Sequence, residues 1–289
     1  MTRLRILISA AIGACALLVG CTGVGALNAI TPDRGYTLAE DVVYDGSTNM
    51  KLDVYAPTAD VVGGAPVVVF FYGGRWQSGS KDDYRFVGQA LAAQGYVAVI
   101  PDYRLYPDVR FPSFLEDSAK AMRWAHDNAS RFRGDAAKLF VMGHSSGAYN
   151  AAMLALDPRF LTAVGGSRDW LSGMIGLAGP YDFLPIYDPT LRDIFGPPEK
   201  FQDTQPIFHV DGENPPLLLM AGQDDEIVQA ENTNSLRRAV VSAGGAVDVV
   251  MYPKMSHEKL VSSLATRLQS STDVMAHVVE FINENTAGR

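Results

Sequence analysis

From residue 65 onward the chain alternates between two kinds of pattern. Short, mostly apolar runs recur at Ala65–Tyr72, Tyr96–Pro101, Leu139–Met142, Trp170–Ala178, Pro216–Ala221 and Ala246–Tyr252, the first of them continuously apolar. Runs of that length without alternation predict strands covered on both faces. Between them lie stretches with apolar residues every three to four positions. Lys81–Gln94 is one, closed by Gly95. Phe114–Arg131 is another, with Leu115, Ala119, Met122, Trp124 and Ala125 interspersed with charges. A third is Ala230–Ala243, and a final amphipathic helix follows the loop Pro253–Glu258 and runs through Phe281. These predict helices. Upstream, Glu40–Tyr44 and Met50–Tyr55 alternate in polarity around the turn signal Asp45-Gly46-Ser47 and predict an antiparallel hairpin at one sheet edge. Strands alternating with helices imply an α/β fold with a mainly parallel, doubly wound sheet of about eight strands.

One strand carries chemistry at its end. Leu139–Met142 runs into Gly143-His144-Ser145-Ser146-Gly147 and then into small, helix-tolerant residues. Strand, G-x-S-x-G and helix together predict a nucleophile elbow. Such a sharp turn projects Ser145 from the sheet edge and leaves no room for a Cβ two residues to either side. Ser145 is the predicted nucleophile. Serine is weak at its free pKa and needs a base within hydrogen-bond reach.

With FFYGGRW, IPDYRL, FPSFLEDSAKAMRWAHDN, GHSSG and AGQDDEIV in one chain, the sequence resembles the esterase/lipase branch of the α/β-hydrolase superfamily, related to hormone-sensitive lipase and bacterial carboxylesterases. The match covers nearly all of the chain after residue 40. The resemblance implies an oxyanion loop at Tyr72-Gly73-Gly74-Arg75-Trp76, where the family's leading histidine is replaced by Tyr72. Its donors would be the backbone N–H groups of Gly74 and Arg75, joined by that of Ser146. Asp102-Tyr103-Arg104 would brace loops below the site. The segment 179–215, rich in prolines and lacking clean periodicity, would form the cap, with Phe183, Tyr187, Phe195 and Phe208 as lining candidates.

The resemblance also orders the triad as Ser, acid, His. Of five histidines, His126 lies in a helix before the nucleophile and His144 sits in the elbow, where the turn is expected to direct its side chain away. His209 falls in the cap segment and His277 on the terminal helix. His257, in the loop after the last strand, is the expected base. Asp224, Asp225 and Glu226 all follow the Pro216–Ala221 strand. The family's spacing selects Asp225 as the acid, with Asp224 its neighbour and Asp182 an outside candidate.

Residues 1–21 have a different character. Arg3 and Arg5 precede an apolar stretch, Ile6 to Val19, that is short for a membrane span. Leu18-Val19-Gly20-Cys21 resembles a bacterial lipobox. That implies a signal peptide of residues 1–20, lipid attachment at Cys21, a tether over 21–39 and a hydrolase domain over 40–289. The protein would then be exported and lipid-anchored to an envelope membrane, on its periplasmic or extracellular face. Both cysteines, Cys15 and Cys21, lie in this leader. The body therefore has no thiol for a disulfide or a Cys-based metal site.

A net charge of −8 argues against nucleic acid as a partner. The expected activity is cleavage of carboxylic esters with small or medium acyl groups, without metal or organic cofactor. The same triad motifs occur in aryl-formamide hydrolases and peptidases, and hydrolase-like domains can also serve as binding modules.

Overall fold

The computed structural model describes residues 25–286. Cys15, Cys21 and the leader lie outside them. Eight strands form one sheet: β1 (Tyr36–Asp45), β2 (Met50–Pro57), β3 (Ala65–Phe71), β4 (Val97–Pro101), β5 (Gly134–His144), β6 (Leu171–Leu177), β7 (Leu217–Gly222) and β8 (Val247–Tyr252). Their order across the sheet is β1-β2-β4-β3-β5-β6-β7-β8. The β1–β2 and β2–β4 pairs are antiparallel and every pair from β4 through β8 is parallel. This is the expected architecture.

Burial explains the apolar runs. Val67–Phe71, Leu139–Met142 and Leu217–Met220 are buried along their whole length, because helices cover both faces of the sheet. From residue 65 onward the helices among the described residues are α1 (Arg85–Ala93), α2 (Ser113–Asn128), α3 (Ser146–Leu156), α4 (Pro158–Ala163), α5 (Pro189–Phe195), α6 (Glu231–Ser242), α7 (His257–Ser262) and α8 (Val274–Glu284). All eleven residues of α3 are buried. Its alanines with Met153, Leu154 and Leu156 make it mostly apolar, as an enclosed helix requires, and its buried Asn150 is hydrogen-bonded to Trp76.

The structure redraws several predicted boundaries. β1 begins at Tyr36 rather than Glu40, so the last residues of the stretch read as a tether join the sheet opposite Val54–Pro57. Lys81–Tyr84 is a 3₁₀ turn ahead of α1. The predicted terminal helix is two helices, α7 and α8, separated by a polar segment in which the Ser271 hydroxyl bonds back to the Leu268 carbonyl. Serine and threonine there compete with the helical backbone. His257 is correspondingly the first residue of α7, not a loop residue.

The segment 179–215, expected to form the cap, contains α5 and two 3₁₀ turns, Pro198–Thr204 and Pro206–His209. Proline opens each of them, which suits its fixed φ and missing N–H. The predicted lining aromatics divide. Phe195 is fully buried, packed edge-on against Trp76 at 4.8 Å and close to Phe114, Tyr149 and Phe183. Phe183 is half-buried beside Trp76. Tyr187 and Phe208 are exposed to solvent at 83% and 55%, so they do not line an enclosed site.

Candidate active site

Parallel strands place their C-terminal ends along one edge, where ligands of open α/β sheets bind. β3 delivers Tyr72–Trp76 to that edge, β5 delivers His144 and Ser145, β7 leads to Asp225, and β8 leads to His257. Four segments far apart in sequence therefore converge through topology alone.

Ser145 has φ 56° and ψ −124° and is followed at once by α3. A non-glycine residue held there stores strain of about 1–3 kcal/mol, which the surrounding packing sustains. The two glycines are required by contact. A Cβ on Gly143 would stand 2.2 Å from the Gly147 carbonyl oxygen, and one on Gly147 would stand 2.0 Å from the Phe71 oxygen. The elbow is therefore pressed against the end of β3, which continues into the glycine loop.

That loop has an unusual backbone. Gly74, Arg75 and Trp76 all have positive φ, at 142°, 57° and 59°. The Gly74 carbonyl accepts from Gln77 and Ser78 N–H, while the N–H groups of Gly74 and Arg75 donate to no backbone carbonyl among the described residues. Ser146 opens α3, so its N–H is one of the orphan donors of a helix start. Trp76 fixes the loop from below, its Nε1 donating to buried Asn150 Oδ1 at 3.0 Å. Arg75 Nη2 donates to Asp188 Oδ2 at 2.7 Å, and Asp188 caps α5 by accepting from Thr190 and Leu191 N–H. The glycine loop and the start of α5 are thus joined.

Tyr72 occupies the place of the family histidine and is held on every side. Its ring stacks between Tyr103 at 4.7 Å and Tyr84 at 5.7 Å. Its hydroxyl donates to Asp102 Oδ1 at 3.2 Å, and its carbonyl accepts from the Tyr103 hydroxyl at 2.7 Å. Asp102 Oδ1 also accepts from Lys81 N–H. Burial raises the Asp102 carboxyl above its ordinary range despite those two donors, and burial likewise pushes the Tyr72 hydroxyl well above 10. Arg104 pairs with both oxygens of fully buried Asp117 at 2.8 Å. The Asp102-Tyr103-Arg104 segment is a brace, as expected.

His257 Nδ1 donates to Asp225 Oδ2 at 2.7 Å, with both side chains buried. Asp225 Oδ1 accepts from Ile227 and Val228 N–H at 2.9 and 2.8 Å. Asp224 and Glu226, on either side, are exposed. The other histidines lie elsewhere: His126 stacks on Trp170, His209 reaches the Asp203 carbonyl, and His277 sits beside Asp273. No hydrogen bond joins Ser145 Oγ to His257 Nε2 among the described residues, and contacts of that kind often tighten only around substrate.

The sequence reading missed His144. Its side chain is not directed away from the site. It packs against His257 with ring centroids 4.6 Å apart, and its Nε2 lies 3.2 Å from the His257 carbonyl oxygen. The Gly-His-Ser spacing alone gives no signal for this, because the contact depends on where β8 ends.

Comparison with known proteins places the chain among esterases and their structures. Among curated proteins, the chain is 31% identical over 220 residues to esterase LipC of Mycobacterium tuberculosis, covering 70% of this chain and 55% of LipC. It is 28% identical over 240 residues to the isoprenylcysteine alpha-carbonyl methylesterase ICME of Arabidopsis thaliana, covering 76% and 56%. The chain thus spans about half the length of the curated relatives it matches. Among solved structures, esterase B from Lactobacillus rhamnosis superposes with a TM-score of 0.77 at 18% identity, covering 98% of this chain and 97% of that one. An esterase from Pyrobaculum calidifontis gives 0.75 at 21%, covering 95% and 94%. At these identities the likeness is one of fold, and the fold is that of the α/β-hydrolases. The BD-FAE family model matches residues 52–240, from within β2 to within α6, and the chain belongs to the BD-FAE family.

Proposed function

We propose that this protein is a serine hydrolase that cleaves carboxylic esters. The observation that carries the reading is the buried Asp225–His257 pair, set at the same sheet edge as a strained serine elbow. His257 takes the Ser145 proton as Ser145 Oγ attacks the ester carbonyl. Asp225 holds the imidazole in the tautomer whose Nε2 is free to accept, and stabilises the imidazolium that forms. The N–H groups of Gly74, Arg75 and Ser146 receive the developing oxyanion. His257 then protonates the departing alcohol, and water clears the acyl-enzyme by the same route.

The preferred substrates are esters with small or medium acyl groups. The cap supports this, because α5 has seven residues and is tied to the core by Phe195 and to the glycine loop by Asp188. The leader supports a further proposal: residues 1–20 are removed, and lipid on Cys21 holds the enzyme at an envelope membrane. Labelled palmitate supplied to the native host would be incorporated by the protein and not by Cys21→Ala.

A panel of p-nitrophenyl esters, aryl formamides and peptide amides tests the activity. Turnover of esters at rates well above the other two classes is expected. Turnover confined to formamides or peptides would contradict the ester reading. Absence of both turnover and fluorophosphonate labelling would make the domain a binding module.

A further inference from the structure

His144 is buried between the proposed base, His257, and the glycine loop. On one side its ring meets that of His257, centroids 4.6 Å apart and tilted by 45°, and its Nε2 lies 3.2 Å from the His257 carbonyl oxygen. On the other side lies the glycine loop: a Cβ on Gly73 would stand 3.1 Å from His144 Nδ1 and 2.9 Å from Ser145 Cβ. His144 Nδ1 has no hydrogen-bond partner. A carbonyl oxygen only accepts, so Nε2 carries the proton and Nδ1 a bare lone pair. The contacts therefore select one neutral tautomer.

We propose that His144 is a positioning residue, a neutral Nε2–H imidazole that pins the backbone of His257 and backs its ring, keeping the base aligned between Asp225 and Ser145. Burial, and then the nearness of His257, hold the His144 pKa well below 6.5. The His257 ring thus gains its proton during turnover without a second cation against its face. Asp225 anchors the base through Nδ1, and His144 anchors it through the main chain. Two anchors from different strands fix both the tilt of the ring and the place of its Cα. His144 touches no reacting atom; it acts through His257.

The inference rests on the ester-hydrolase reading, and its test separates the two. His144→Gln keeps an N–H donor near the Nε2 position, His144→Asn is too short to reach the His257 carbonyl, and His144→Leu removes the donor. On p-nitrophenyl butyrate, Gln is expected to keep kcat within about threefold of wild type. Asn and Leu are expected to lose about ten- to a hundredfold in kcat with KM little changed, the scale for misplacing a catalytic group by an ångström. In parallel, the downfield proton resonance of His257 Nδ1–H is expected to persist in Gln and to broaden in Asn and Leu. That readout does not depend on turnover. Wild type inactive on esters, with the resonance behaving as stated, would overturn the ester reading and leave the positioning role standing. Equal kcat and equal resonances in Gln, Asn and Leu would overturn the role of His144.

Discussion

Asp225 binds His257 and its own loop at once. One carboxylate oxygen accepts from His257 Nδ1 at 2.7 Å, while the other accepts from Ile227 and Val228 N–H. The carboxylate is fixed before it orients the imidazole. Asp225→Asn should lower kcat by about 10⁴-fold, because the imidazole loses the acceptor that sets its tautomer. Asp224→Asn, altering an exposed neighbour, should stay within a few-fold of wild type. Steady-state kinetics of the two variants check this, and a reversed order would reassign the acid.

The Arg75–Asp188 bridge joins the glycine loop to α5 through two half-exposed side chains. Exposed pairs contribute about 0–1 kcal/mol, whereas losing a helix N-cap costs about 0.5–2 kcal/mol. Asp188→Ala removes both the pair and the cap and should lower Tm measurably. Arg75→Met should lower it less, and Asp188→Ser should recover most of the loss by restoring the cap. Thermal unfolding of the three variants gives the ranking. Equal losses in Asp188→Ala and Arg75→Met would mean that the bridge, not the cap, holds α5.

The eight strands were legible because each is buried on both faces or pairs at a sheet edge, and burial leaves a continuous or alternating apolar signature. That Ser145, Asp225 and His257 stand near one sheet edge was legible for another reason: each lies within a few residues of a strand end whose position the apolar runs give away. What the sequence concealed depends on contacts between distant segments. α5 is too short to show periodicity and carries Pro189 at its start. Tyr72 was visible as a departure, but its stacking between Tyr84 and Tyr103 was not. His144 was misjudged because its direction is set by β8 and α7, more than a hundred residues downstream. Phe208 and Tyr187 looked like lining aromatics and are exposed, since aromatic identity says nothing about facing.

The neutral state of His144 has a consequence for stability. Unfolded, the residue binds a proton near pH 6.5; folded, burial and His257 keep it unprotonated to well below that value. The unfolded state then holds more protons, so stability falls as pH drops through 6.5 toward the folded pKa. His144→Gln removes this contribution. Between about pH 7.5 and 5.5 the urea midpoint should fall less in His144→Gln than in wild type. Parallel midpoints across that window would show that His144 takes up its proton in the folded state.

The proposed cap leads to an expectation for acyl length. α5 is pinned by Phe195 beneath and Asp188 at its start, and no long apolar helix lies in residues 179–215. A compact pocket gains nothing from methylenes left in water, each forgoing about 0.8 kcal/mol of burial. kcat/KM should therefore be higher on acetyl to butyryl than on palmitoyl p-nitrophenyl esters, without a jump when substrate forms micelles. A steady rise with chain length would point to an open acyl channel.

The central claim is that Ser145 forms an acyl-enzyme. The direct measurement is p-nitrophenyl butyrate hydrolysis by wild type and Ser145→Ala, paired with mass spectrometry of the protein quenched during turnover. The account predicts a butyryl adduct on the peptide carrying Ser145 in wild type, and neither adduct nor enzymatic hydrolysis in the folded variant. Hydrolysis by Ser145→Ala at near wild-type rate, or an adduct on another residue, would contradict it.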